Sequence, residues 1–152
     1  MNKKVSITII MASAIAAILI VPWAALQRSH AQSDLSSTIL DIHNRERAAV
    51  KVPDLVWSDS LAAGAKTWAK HLATTGEFNH ERGLNVAENI AGFFKGVSAP
   101  GEGQSKWVDE KVHWNGSTCA YTNMIGSGYK EVGCGTASGS GHPYSILVCR
   151  YR

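Results

Sequence analysis

Three cysteines, Cys119, Cys134 and Cys149, are the most reactive side chains of this 152-residue sequence. Their spacing contains no Cys-x-x-Cys pair, which argues against a zinc ribbon or a thioredoxin-type redox centre. The six histidines include no His-Glu-x-x-His, and no serine stands in Gly-x-Ser-x-Gly. A zincin or an α/β-hydrolase nucleophile elbow is therefore not expected. The chemistry left to the cysteines is oxidation to a disulfide. If the last two extended segments form a hairpin turning about Gly141, Cys134 and Cys149 fall opposite each other, close enough to bridge. A Cys134–Cys149 disulfide is predicted, with Cys119 free or paired to another chain.

A disulfide needs an oxidising compartment, and the N-terminus supplies a route to one. Lys3 and Lys4 precede an apolar run that starts at Val5 and passes Ile20. Ser29-His30-Ala31 then places small residues at −3 and −1 of a cleavage point after Ala31. This is the three-part layout of a secretory signal. The expected division is a signal segment over 1–31 and one domain over 32–152, with an uncleaved membrane anchor as the alternative. The formal charge of +3 includes Lys3, Lys4 and Arg28. The domain is therefore close to neutral, and without a basic stripe nucleic acid is not an expected partner.

The elements that must position any site follow from periodicity. Ser36 or Ser37 is read as the cap of a first helix through Ile39, Ile42 and Ala49. Leu55-Val56-Trp57 is extended. Ser58 caps a second helix whose stripe is Leu61, Ala65, Trp68, Ala69 and Leu72, closed by Gly76. Residues 87–91 read as a short helical turn and 92–103 as a glycine-rich loop. Trp107, Val108, Lys111, Val112 and Trp114 follow helical spacing. Residues 121–125, 130–136 and 144–151 read as short strands. Helices followed by a β-meander give an α+β class.

Several motifs occur in a fixed order: His43-Asn44-Arg45-Glu46-Arg47, Leu55-Val56-Trp57-Ser58, Phe78-Asn79-His80, Ala87-Glu88-Asn89-Ile90, Trp107-Val108-Asp109-Glu110, Tyr121-Thr122-Asn123, Val132-Gly133-Cys134-Gly135 and Val148-Cys149-Arg150-Tyr151. In this order and spacing they resemble the CAP superfamily of cysteine-rich secretory proteins, antigen 5 and plant pathogenesis-related proteins. The resemblance runs from about Ile39 to the C-terminus. It implies an α-β-α sandwich with a central antiparallel sheet, in a secreted, extracellular or periplasmic protein acting as a monomer.

The resemblance also implies a cleft with two His and two Glu, matched here by His80, Glu88 and Glu110. The family's second His precedes Tyr-Thr-Gln; here Ala120 precedes Tyr121-Thr122-Asn123, in a segment that looks shortened. Ala87 replaces a family Gly, and Gly126 stands where the family often has Trp. A divalent metal such as zinc would have His80 as its one family imidazole, with Glu88 and Glu110 as possible oxygen ligands and His113 and His142 as the available substitutes. His43 and Asn44 are expected to be structural, and Trp57, Trp68 and Trp107 to be core anchors.

Four functions follow. The first is a non-enzymatic binding module for a lipid, peptide or protein. The second is a hydrolase or peptidase using Glu88 or Glu110 with His80. The third is a metal-dependent module with a partial site. The fourth is a copy that keeps the fold and has lost the site.

Overall fold

The computed structural model describes the backbone over residues 23–94, 100–113, 115 and 117–152. Most of the expected signal segment, and Trp114 of the helical stripe, lie outside the described residues. The chain runs α1 (Trp23–Ala49), β1 (Val56–Trp57), α2 (Asp59–Thr75), β2 (Ala87–Phe94) and α3 (Pro100–Asp109). A short 3-10 turn (Glu110–His113), α4 (Ala120–Ile125), β3 (Glu131–Ala137) and β4 (Tyr144–Tyr151) complete it. No helix among the described residues is long and apolar enough to cross a membrane.

The sheet has the order β1-β3-β4-β2. β4 is antiparallel to both β2 and β3, and β1 joins β3 in parallel. β4 is buried on both faces, and its alternate residues feed two cores. Ile146 and Val148 pack under Ala65, Ala69, Leu72 and Ala73 of α2. Leu147, Cys149 and Tyr151 face α1, α3 and α4 through Ile39, Trp107, Tyr121 and Met124. The result is helix, sheet, helix: the predicted α+β sandwich.

The α2 layer sits unusually close to β3. A Cβ on Gly133 would lie 2.3 Å from the Ala62 amide nitrogen, and one on Gly135 2.4 Å from the Lys66 Cα. Side chains at those positions would lift the helix off the sheet and open its buried leucine and alanine stripe. Leu72, which is fully buried, contributes roughly 1.5–3 kcal/mol by its transfer from water.

Four local expectations are corrected. α1 begins well before Ser36 and Ser37, and the Ser37 and Thr38 hydroxyls donate back to the Asp34 carbonyl. Those hydroxyls serve the preceding turn, so none is left to start a new helix. Residues 87–91 are not a helical turn but the first part of β2, because all eight β2 residues pair with β4. Within the expected loop 92–103, residues 92–94 end that strand and α3 starts at Pro100, with Gly103 buried against Leu147 and Ala91. Residues 121–125 form a helix rather than a strand. The Thr122 hydroxyl and the Cys119 backbone close its first turn, and Tyr121 and Met124, three apart, share its buried face. The sheet is consequently no meander, since β2 enters at its far edge.

Cys134 and Cys149 are direct partners across β3 and β4 and form a disulfide, with Cα atoms 4.1 Å apart. Cys119 is free. Replacing Cys134 and Cys149 together by serine should lower unfolding stability by about 2–4 kcal/mol. Thermal and denaturant unfolding measure this, and equal stability of variant and parent would show that the bridge does not form.

Candidate functional site

β2 is the outer strand on one side of the sheet, and a polar cleft of about 350 Å³ opens along it. One wall carries His80, from the segment between α2 and β2. The floor is Glu88, Asn89 and Ile90 of β2. The opposite wall is Glu110, Thr118, Cys119, Ala120 and Asn123. The three residues singled out in the sequence, His80, Glu88 and Glu110, therefore line one cleft.

The two carboxylates are both anchored. Glu88 is almost completely buried, with a side chain 3% exposed. Its Oε1 accepts from His80 Nδ1 at 3.0 Å and from the Glu81 backbone N–H at 3.2 Å. Its Oε2 accepts from Arg150 Nε at 3.2 Å. The other arm of the Arg150 guanidinium donates to Glu81. Because a carboxylate only accepts, His80 Nδ1 carries the proton in that bond, and Nε2 is the nitrogen turned to solvent. Glu110 Oε2 accepts the Tyr121 backbone N–H at 3.1 Å, fixing the start of α4 against the 3-10 turn.

Behind the floor runs a buried polar chain whose bond directions are all determined. His43 Nδ1 lies 2.9 Å from the Ile39 carbonyl and must donate to it, so the neutral ring presents Nε2 as an acceptor. The Tyr151 hydroxyl donates to that nitrogen at 2.9 Å. Asn89 Nδ2 donates to the same hydroxyl oxygen at 3.0 Å and to the Ala120 carbonyl at 2.8 Å. Asn123 Nδ2 donates to Asn89 Oδ1 at 2.8 Å. Both cleft asparagines are thus oriented from the core. Asn44 exchanges two bonds with the Leu55 backbone, so His43 and Asn44 are structural as expected.

Ala120 occupies the lip where an imidazole was missing from the sequence, and among the described residues His80 is the only histidine lining the cleft. His113 lines a neighbouring recess that shares only Glu110 and Cys119 with the cleft. His142 stacks on Tyr144 and donates to the Glu77 carbonyl. The donor set does not fit a divalent metal. Glu88 has both oxygens engaged, the Arg150 guanidinium bonds Glu88 and Glu81, and a single imidazole nitrogen is free to coordinate. Among the described residues no three His, Cys, Asp or Glu side chains are placed to hold an ion.

Sequence reasoning assigned no role to Arg150, Glu81, Asn89 or Asn123. Opposite-charge residues and amides flanking the matched positions were the available signal.

Residues 40–151 match the CAP family, the cysteine-rich secretory proteins. Pathogenesis-related protein 1A of Nicotiana tabacum is 32% identical over 124 residues, covering 74% of this chain and 71% of that protein. Secreted protein PRY1 of Candida albicans is 32% identical over 124 residues, covering 78% of this chain and 29% of that protein. The crystal structure of NaASP2 with Zn²⁺ superposes with a TM-score of 0.64 at 16% identity, over 77% of this chain and 78% of that one. The chain belongs to the cysteine-rich secretory protein family.

Burial lowers the His43 pKa from its ordinary 6.5 to about 4. The unfolded chain therefore binds this proton more tightly than the folded one. The stability that neutral His43 contributes is complete above about pH 6.5 and drains away as pH falls to about 4, by roughly 3 kcal/mol. Urea unfolding across that window should show the slope, and His43→Gln should flatten it. A slope unchanged in the variant would locate the titration elsewhere.

Proposed function

We propose that this chain is an exported, non-enzymatic binding module that takes a peptide or a polar segment of a partner protein into the cleft between His80 and Asn123. The observation that carries this reading is the engagement of the acidic groups. Glu88 is filled by Arg150, His80 and a backbone amide, and one oxygen of Glu110 holds the start of α4. A general base needs a carboxylate free to take a proton from substrate, and the better-placed of the two is tied to a guanidinium. What faces outward is a set of hydrogen-bonding groups on a rigid frame: His80 Nε2, the Asn123 amide and Thr118. Such a set recognises backbone and polar side chains.

Export is supported by the Lys3-Lys4 start, the apolar run, the small residues before Ala31 and a disulfide that is stable only in an oxidising setting. It also agrees with the naming of the Candida albicans relative as a secreted protein. In this reading residues 1–31 direct export and residues 32–152 act as a monomer.

A lipid ligand has a separate observation in its favour. A mainly apolar recess of about 240 Å³ is lined by Gly92, Phe93, Phe94, Lys106 and Tyr144. Phe94 there is 70% exposed, and Phe78 and His142 extend the aromatic surface around Tyr144.

Selection from a displayed peptide library should enrich ligands whose affinity drops about tenfold on Asn123→Ala, the loss of one ligand hydrogen bond to a buried frame. Enriched peptides indifferent to Asn123→Ala and His80→Ala would place binding outside this cleft. Turnover of fluorogenic peptides that disappears in Glu110→Gln would replace the reading by a hydrolase.

A further inference from the structure

Two walls run from the polar cleft to the apolar recess. The first is the outer strand β2, whose Ile90 lines the cleft and whose Gly92 and Phe94 line the recess. Ile90 and Gly92 are two residues apart, roughly 7 Å along an extended chain. The second wall is the segment before β2. It carries His80 into the cleft, and two residues earlier Phe78 stands edge-on to Tyr144 of the recess, with ring centroids 6.4 Å apart. Trp68 on α2 donates to the Asn79 carbonyl between them and fixes this wall. Tyr144 lies against the bare backbone of Gly92, where a Cβ would come within 2.6 Å of the ring.

This edge is closed to strand addition. The Ile90 and Gly92 carbonyls accept from α3 side chains, Trp107 Nε1 at 3.4 Å and Lys106 Nζ at 2.6 Å. The acceptors that an added strand needs are therefore occupied, and a ligand here is recognised by its side chain and its charge. Lys106 is the one charged side chain lining the recess, and no carboxylate among the described residues pairs with it. Its ammonium has three donors; Gly92 takes one, and the others remain for a ligand. Size separates the occupants. A cavity of about 150 Å³ accepts benzene, so a recess of about 240 Å³ holds one aromatic ring or one branched aliphatic side chain. It leaves most of a long acyl chain in water. We propose that the recess takes the C-terminal residue of a peptide, its aromatic or large aliphatic side chain against Phe94 and Tyr144 and its α-carboxylate on Lys106 Nζ, with the preceding residues in the polar cleft. The inference deepens the peptide-binding reading and rests on it for the cleft; the recess has a test of its own.

The experiment offers the full chain two random hexapeptide pools, one with free C-terminal carboxylates and one amidated at the C-terminus, and sequences what is retained. The free-acid pool should enrich peptides ending in Phe, Tyr, Trp or Leu, and the amidated pool should not. For an enriched peptide, alanine in place of the terminal residue should weaken binding at least about tenfold. Amidation should weaken it about fivefold, as should Lys106→Gln, which keeps a donor for the Gly92 carbonyl. The amidated peptide should be indifferent to Lys106→Gln, because the two changes remove the same contact. Phe94→Ser, at a position 70% exposed and so outside the core, should also weaken the free-acid peptide.

Peptides enriched without a terminal preference, or with one that Lys106→Gln and Phe94→Ser leave unmoved, overturn the proposal. So does palmitate binding that these two variants abolish while no free-acid peptide is enriched, which assigns the recess to an acyl chain. Enriched peptides that depend on Asn123 and not on Lys106 or Phe94 remove the recess and leave the cleft reading standing. Dependence on Lys106 and Phe94, with indifference to Asn123→Ala and His80→Ala, removes the cleft and keeps the recess. Enrichment from neither pool overturns both.

Discussion

One phenol oxygen holds the sandwich together at the point where it becomes functional. The Tyr151 hydroxyl, at the end of the central strand β4, donates to His43 on α1 and accepts from Asn89 on β2. Asn89 in turn reaches the start of α4 through the Ala120 carbonyl. Four elements therefore meet at a fully buried group. Burial pushes the phenol's pKa above its ordinary value and the His43 pKa below, so both partners stay neutral and the direction of every bond in the chain is fixed. A buried polar network of this kind stabilises one arrangement because each alternative leaves a group unpaired. Its outer members, Asn89 and Asn123, are also lining residues of the cleft.

Two buried arginines show how the same side chain serves different ends. Arg47 on α1 is 1% exposed and donates to the backbone carbonyls of Pro53, Met124, Gly126 and Tyr129. It closes the C-terminal end of α4 and the following turn onto the first helix, and its burial lowers its pKa from the ordinary value. Arg150 bonds to carboxylates instead. A guanidinium among carbonyls fixes backbone; a guanidinium between carboxylates also sets the charge of a surface. Removing either partner of such a buried pair leaves an uncompensated charge, so Glu88 and Arg150 are bound to each other energetically as well as by register.

Much of this was legible in the sequence, and what was missed has a common cause. The long, periodic α2 stripe and the hairpin joining Cys134 to Cys149 depend on local spacing, and both appear as read. Ala87-Glu88-Asn89-Ile90-Ala91 lacks the alternation of a strand and has one β-branched residue, Ile90; it is extended because β4 pairs with it residue by residue, a long-range fact. Tyr121–Ile125 has strand-forming residues, yet a cap at Cys119 and Thr122 makes it a helix too short for periodicity to reveal. His80, Glu88 and Glu110 were found by motif. Arg150 was not given a role because its partners lie 62 and 69 residues away, and no window of sequence contains them together.

The groups around the place of the missing second imidazole hold one another. Where the histidine is missing, Ala120 forms the lip and its carbonyl is used by Asn89. The neighbouring Asn123 amide is held by Asn89. Glu88, which would be an uncompensated charge in a decayed cleft, is matched by Arg150 and oriented toward His80. Gly64 inside α2 leaves the space in which that guanidinium lies. The cleft is a polar surface whose groups are fixed from behind, and fixed groups lose little entropy when a ligand arrives.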